Sequence, residues 1–223
     1  MNKDFYIERE NWDGSYYELA IELQASHDEM RLEKALQALW SYPKLSGHWL
    51  SKENYGQAPD VFNIADEFRG TDNNSFIHVY GLFSIPEIDR QVGCLSIIVR
   101  EQEGSDWLDF CFPTAMLKSV FPVKKPLLRE QNPWLTTVDK YLLEMANIVY
   151  QQTPYDLAFI GDEVSGLVNR ASIIEKGIEN EVKFYNMAQN KVLISPAFWD
   201  EVSLDKNYEV MSSGLRWATF AQQ

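Results

Sequence analysis

The sequence predicts an α+β protein, a mainly antiparallel sheet packed by two amphipathic helices, and three observations carry that prediction. Period-two stretches such as Tyr16–Leu23 occur in the same chain as a period-3.6 stretch, Leu135 to Val149. Strand-like runs between Phe76 and Phe112 are joined by links too short for a parallel crossover. Hydrophobic residues make up 45% of the 223 residues and aromatics 13%, enough material for a sizeable core. A single α+β domain spanning 1–223 is expected, with a candidate subdomain boundary near 120–133, where Pro122, Pro126 and Pro133 forbid a continuous helix.

Tyr16 to Leu23 alternates. Tyr17, Leu19, Ile21 and Leu23 fall on one face and Glu18 and Glu22 on the other, the pattern of a half-buried strand. Ser26 and Glu29 have the spacing of a capping box, and Leu32, Leu36 and Leu39 follow at helical spacing, so a helix runs from about Asp28 to Trp40. Leu45 to Asn74 reads as a long connection containing one short helical turn. Phe76–Ile85, Val92–Arg100 and Trp107–Phe112 read as three strands of an antiparallel meander.

Thr114 to Val120 reads as a short helix. Asn132-Pro133 has the form of an N-cap followed by proline at the first helical position, opening a strong amphipathic helix to about Gln151. Leu157–Ile160 is a short inner strand ending at Gly161. Val182–Tyr185 and Lys191–Ile194 read as a hairpin with its turn near Ala188 to Asn190. Pro196–Val202 supplies a helical turn. Asn207–Met211 and Leu215–Phe220 form a last hairpin around Ser212-Ser213-Gly214.

Lys plus Arg number 20 and Asp plus Glu 33, a net charge of -13. Nucleic-acid binding rests on neutralising phosphates with basic side chains, and two lysines, Lys124 and Lys125, are not a footprint for it. The same deficit argues against anionic membranes, and no apolar run approaches the ~20 residues a membrane-spanning helix needs. An acidic surface suits a basic protein partner and also keeps a protein soluble. Cys94 and Cys111 lie in strand-like runs without metal-site spacing and read as reduced, buried thiols. The polar N-terminus has no signal-peptide core, so a cytoplasmic location is expected.

No motif for a cofactor or a metal is present. Phe159 to Gly166 places Asp162, Glu163 and Ser165 after an inner strand, between glycines. It lacks the lysine of a phosphate-binding loop and the G-x-S-x-G of a nucleophile elbow. Asp162 and Glu163 are the acids expected to meet a partner. His27, His48 and His78 are too far apart for a helical ligand pair. Asp106 and Asp109 flank Trp107, but at i, i+3 in a strand they point to opposite faces and do not cooperate. Trp40-Ser41-Tyr42 and Phe198-Trp199 read as packing residues.

The opening of the chain resembles bacterial immunity proteins, which neutralise toxins delivered between competing cells. The resemblance lies in Tyr16-Tyr17-Glu18-Leu19-Ala20-Ile21, then Leu36-Gln37-Ala38-Leu39-Trp40, then Pro43-Lys44-Leu45-Ser46-Gly47-His48-Trp49. This is similar to a strand, a helix and a P-x-L-x-G-x-W loop, and it covers about Trp12 to Trp49. It implies a protein that binds one toxin and blocks it, with no cofactor. Immunity families share no universal binding residues, so none is carried over. The expected function is therefore a binding protein that neutralises a basic toxin by occlusion. The alternative is an enzyme with a site assembled around Asp162, Glu163 and a distant histidine.

Overall fold

The computed structural model describes residues 3–24, 28–60, 75–100, 104–187, 189–202 and 207–219. Among them are nine strands and seven α-helices. In chain order these are α1 (Lys3–Ile7), β1 (Tyr16–Leu23), α2 (Glu29–Trp40), β2 (Leu45–Trp49), β3 (Ser75–Ile85), β4 (Arg90–Arg100) and β5 (Asp106–Pro113). They continue with α3 (Thr114–Lys118), α4 (Leu135–Gln152), β6 (Leu157–Asp162), α5 (Arg170–Lys176), α6 (Ile178–Phe184), β7 (Lys191–Ile194), α7 (Pro196–Glu201), β8 (Glu209–Val210) and β9 (Arg216–Thr219). The strands form one sheet in the order β2-β3-β4-β5-β1-β6-β7-β9-β8, and every neighbouring pair is antiparallel. The α+β class and the β3-β4-β5 meander are as the sequence predicts.

The first strand in sequence lies in the middle of the sheet, and both of its faces are buried. On one face Tyr17, Leu19, Ile21 and Leu23 join Leu32, Leu36 and Leu39 of α2 and Leu135, Val138, Leu142 and Met145 of α4 in one core cluster. On the other, Ala20 meets Trp107 of β5 and Leu157 and Phe159 of β6. That second core is completed by Ile173 of α5, Ile178 and Val182 of α6, and Phe198 and Trp199 of α7. The expectation that Glu18 and Glu22 face water is therefore corrected. Each is 3% exposed, because the chain from 161 to 201 returns to cover that face.

Four other expectations change. The connection after Leu45 contains the edge strand β2, which pairs with β3 through Leu45 and Phe83, and a helical turn at Lys52–Asn54. Residues 61–74, the rest of that connection, lie outside the described residues, as does Ser26. Asp28 caps α2, its carboxylate accepting the Arg31 N–H at 3.0 Å. Asn132 does not cap α4, which begins at Leu135. It is buried and holds the proline segment instead, accepting the Lys124 N–H at 2.8 Å and donating to the Lys124 carbonyl at 2.8 Å. Val182–Tyr185 is not a strand: Ile178, Glu181 and Val182 are buried at i, i+3 and i+4, and the segment belongs to α6. Ala188, placed in the turn of that hairpin, lies outside the described residues.

Cys94 and Cys111 are both buried and free. Cys111 stands opposite Leu95 on β4, so Cys94, one residue earlier, points to the other face of the sheet. Two thiols on opposite faces cannot adopt disulfide geometry. Alkylation of the denatured chain without reductant should label both cysteines, and labelling of neither would contradict the fold. Leu142 is fully buried between α4 and the sheet. Leu142→Ala should cost about 2–5 kcal/mol in a urea titration, and a loss below about 1 kcal/mol would contradict its packing.

Candidate partner-binding site

The end of β6 carries the two acids singled out in the sequence. Asp162, the last residue of the strand, pairs in register with Tyr17. Its carboxylate oxygens each accept from Lys125 Nζ at 3.2 Å, and Lys125 also donates to Ser15 Oγ at 2.8 Å. This pair is partly exposed, where an ion pair stabilises by roughly 0–1 kcal/mol. Glu163 takes a left-handed backbone conformation, φ 53°, which turns its side chain back along β1. Its carboxylate accepts the Tyr16 N–H, and its own N–H donates to the Tyr16 carbonyl at 3.0 Å. Both acids are thus held by the chain, with Glu163 exposed and Asp162 half-buried.

Beneath them lies a group of polar residues that the sequence did not bring together. Glu18 of β1 stands opposite Cys111 of β5, and Asp109 stands opposite Ala20, two residues along the same face. Glu18 Oε1 accepts the Ser165 N–H at 2.8 Å, and the Cys111 thiol donates to Glu18 Oε2 at 3.3 Å. The Ser165 hydroxyl donates to Asp109 Oδ2 at 2.6 Å. Asp109 Oδ1 is buried and accepts no hydrogen bond among the described residues.

Burial penalises the ionised forms and sets the electrostatics. It pushes the Glu18 carboxyl up from the ordinary value of 4.5 to about 7, against the lowering effect of the Ser165 N–H. Burial first, and the neighbouring Glu18 charge second, push Asp109 well above the carboxylate range. Cys111 is pushed up by burial, then by the charges of Glu18 and Asp109, so it is held as an inert thiol. The group fastens the 163–165 loop to the sheet.

Tyr17 anchors the opposite face. Its hydroxyl donates to Asp139 of α4 at 2.5 Å, and Arg129 Nε donates to the same carboxylate at 2.6 Å. Lys191 of β7 approaches Asp139 to 3.7 Å. Asp106 and Asp109 point to opposite faces, as expected from their spacing: Asp106 lies 3.8 Å from Arg100 Nε, while Asp109 bonds Ser165.

Among the described residues no histidine joins Asp162 and Glu163. His78 is on β3, four strand spacings from β6, or about 19 Å across the sheet. Burial lowers its pKa. His48 is on the edge strand β2, its ring 6.0 Å from that of Trp40, and His27 lies outside the described residues. Tyr42, Phe198 and Trp199 are buried and Trp40 is partly buried, in keeping with packing roles.

The aromatic residues that do reach the surface lie elsewhere. Phe184 is 79% exposed and stacks edge-to-face with the exposed Tyr185 at 4.8 Å, at the end of α6. Ile174 on the adjoining α5 is also exposed. Glu175 and Glu179 are exposed on the same pair of helices. Sequence reading missed these residues because it took Val182–Tyr185 for a strand. The signal was available in the i, i+3, i+4 spacing of Ile178, Glu181 and Val182.

No protein-family model matches the chain, and no curated protein matches it. A solved structure does: a chain of the 1.75 Å crystal structure of the toxic C-terminal tip of CdiA from Pseudomonas aeruginosa in complex with its immune protein. Identity is 14%, the match covers 67% of this chain and 88% of that one, and the TM-score is 0.42.

The raised pKa of Glu18 gives a signed prediction. The folded state keeps a proton that the unfolded chain releases near pH 4.5. The stabilisation is therefore fully present below pH 4.5 and is lost as pH rises through about 7. Unfolding free energy measured in urea should fall across that window, and Glu18→Gln should flatten the fall. An equal slope in the wild type and the variant would show that Glu18 ionises freely.

Proposed function

We propose that this protein binds and occludes a basic protein toxin, acting as an immunity protein. The observation that carries the reading is the α5–α6 surface. Phe184 and Tyr185 at the end of α6 and Ile174 on α5 are exposed, and the same two helices carry the exposed charged residues Glu175, Lys176, Glu179 and Lys183, on a chain of net charge -13. Aromatic anchors inside a charged, solvated rim are the anatomy of a protein interface. Acidic groups accelerate encounter with a basic partner, and the aromatic groups resist its departure. Asp162 and Glu163, held rigidly at the end of β6, add to the acidic field that steers the partner in. The likeness of Trp12–Trp49 to immunity proteins supports the same class of partner. The toxin would be cytotoxic inside the cell that holds this protein, so the encounter is placed in the cytoplasm.

The test is co-expression with secreted toxins encoded beside this gene, followed by binding kinetics with the toxin that is neutralised. Phe184→Ala with Tyr185→Ala should raise the dissociation rate by about 30-fold or more, the scale of a hot spot. Reversing Asp162 and Glu163 to lysine should instead slow association and weaken its dependence on salt; because it also removes the Lys125 pair and the bond to the Tyr16 N–H, the kinetics are read on protein whose urea midpoint shows it folded. Neutralisation with unchanged rates in both variants would place the interface elsewhere. Failure to neutralise any such toxin would end the immunity reading.

A further inference from the structure

Glu18 and Asp109 lie on the same dry face of two paired strands, and a single residue, Ser165, donates to both. They are 3% and 2% exposed. Three of their four carboxylate oxygens have donors. The Ser165 N–H and the Cys111 thiol serve Glu18, and the Ser165 hydroxyl serves Asp109 Oδ2. Asp109 Oδ1 is buried and accepts from no described residue. We infer that Glu18 and Asp109 form a proton-binding site that keeps one proton at neutral pH, and that this proton latches residues 163–169 onto the sheet.

The surroundings supply no positive charge to hold both carboxylates ionised. The titratable neighbours are Cys111 from β5, Tyr16 from β1 and Glu163 from the loop, each neutral or negative. The Tyr16 hydroxyl donates to the Trp12 carbonyl at 2.9 Å, and the Glu163 carboxylate is turned to the Tyr16 N–H. Glu22, further along β1, adds another acid to this face. In register with the group, β4 presents Leu95 and Ile97, and β6 presents Gly161 and Phe159. From the covering helices, Glu181 pairs with Lys176 at 3.3 Å, and Arg170 pairs with Asp156 and Glu201. Lys125 pairs with Asp162, which shares the Tyr17 face of the sheet. Among the described residues no cation reaches Glu18 or Asp109.

A buried carboxylate without a cation or a full set of donors is more stable as the neutral acid, and two within one field keep a proton more firmly than either alone. While the proton is held, Ser165 bridges two groups of which at most one is charged. Once it leaves, two anions share a dry site, and the remedy is water. Residues 163–169 are the part that can admit it. They carry no helix or strand, only Val164 and Val168 among them are buried, and Ser165 itself is partly exposed. β1 and β5 are each paired on both sides and hold. Local opening takes the least supported segment first. The closed segment binds a proton that the open one releases, so rising pH favours opening. The same movement uncovers the Cys111 thiol, which bonds Glu18, whereas Cys94 on the other face stays buried.

The two cysteines make the opening measurable. The native chain is labelled with a disulfide reagent across a pH series, and each thiol's rate is divided by its rate in the urea-unfolded chain. The normalised Cys111 rate should rise about tenfold for each pH unit between about 7 and 9, the slope of one released proton. The Cys94 rate should stay flat. Asp109→Asn keeps the size of the side chain and removes its charge, and it should flatten the Cys111 rise. In the wild type labelled with ¹³C, the Asp109 carboxyl carbon should still report the neutral acid at pH 7. Parallel labelling of Cys111 and Cys94 would mean global unfolding and would overturn the latch. So would an equal rise in Asp109→Asn, or carbon signals showing both carboxylates ionised at pH 7 in the closed protein. If Asp109→Asn does not fold, the contrast between the two wild-type thiols and the carbon titration decide the matter without it.

Discussion

Two carboxylates on a strand with no wet face govern this structure. Glu18 and Glu22 alternate with Tyr17, Leu19 and Ile21 along β1, and β1 lies at the centre of a sheet covered on both sides. A buried carboxylate must find donors or give up its charge. The chain between β6 and α5 supplies the donors: the Ser165 N–H for Glu18 and the Arg170 N–H for Glu22. The same segment returns an acid of its own, Glu163, to the Tyr16 N–H. Three hydrogen bonds spaced along β1 therefore fix the path of 163–170, and that path decides where α5 begins.

The acids of this protein play two distinct parts. On the inner side of the second face they are few, oriented and partly protonated: Asp109 and Glu18 share Ser165 and lie within each other's field, so neither ionises as it would in water. On the outer side they are exposed and face solvent, as at Glu163, Glu175 and Glu179. Net charge in the sequence sums these two populations and cannot distinguish them. Only the exposed population contributes to a field that a partner would feel at a distance. The buried population contributes position.

Much of the fold was legible in the sequence. Local periodicity placed β1, α2, α4 and the meander within a few residues, since each is long and strongly patterned. What failed was information carried by distant parts of the chain. The alternation of Tyr17, Leu19, Ile21 and Leu23 with Glu18 and Glu22 was read correctly as a strand, but its polar face is dried by residues some 140 positions later. No local pattern announces that. Asn132-Pro133 looked like a helix start because the dipeptide is shared by caps and turns, and burial of the Asn132 side chain against Lys124 decided between them. Asp162 and Glu163 were found by their position after an inner strand. Glu18, Asp109 and Ser165 were not, because their meeting depends on β1 lying between β5 and β6, an order that no pairwise spacing reveals.

The same constraint bears on how a surface on α5 and α6 could bind. These two helices are short, seven residues each, and isolated helices of that length do not persist in water. Their order comes from below. Ile173, Ile178 and Val182 enter the second core, and α5 starts at the amide that Glu22 holds. The Asn169 side chain closes its first turn by accepting the Ser172 N–H at 2.8 Å. Anchors carried on helices fixed in this way lose little freedom when a partner closes over them, and association then spends less of its gain on ordering. A buried acid in the central strand and an exposed aromatic on the outer helices are thus two ends of one arrangement. The first sets where the helix can stand, and the second is what that helix presents.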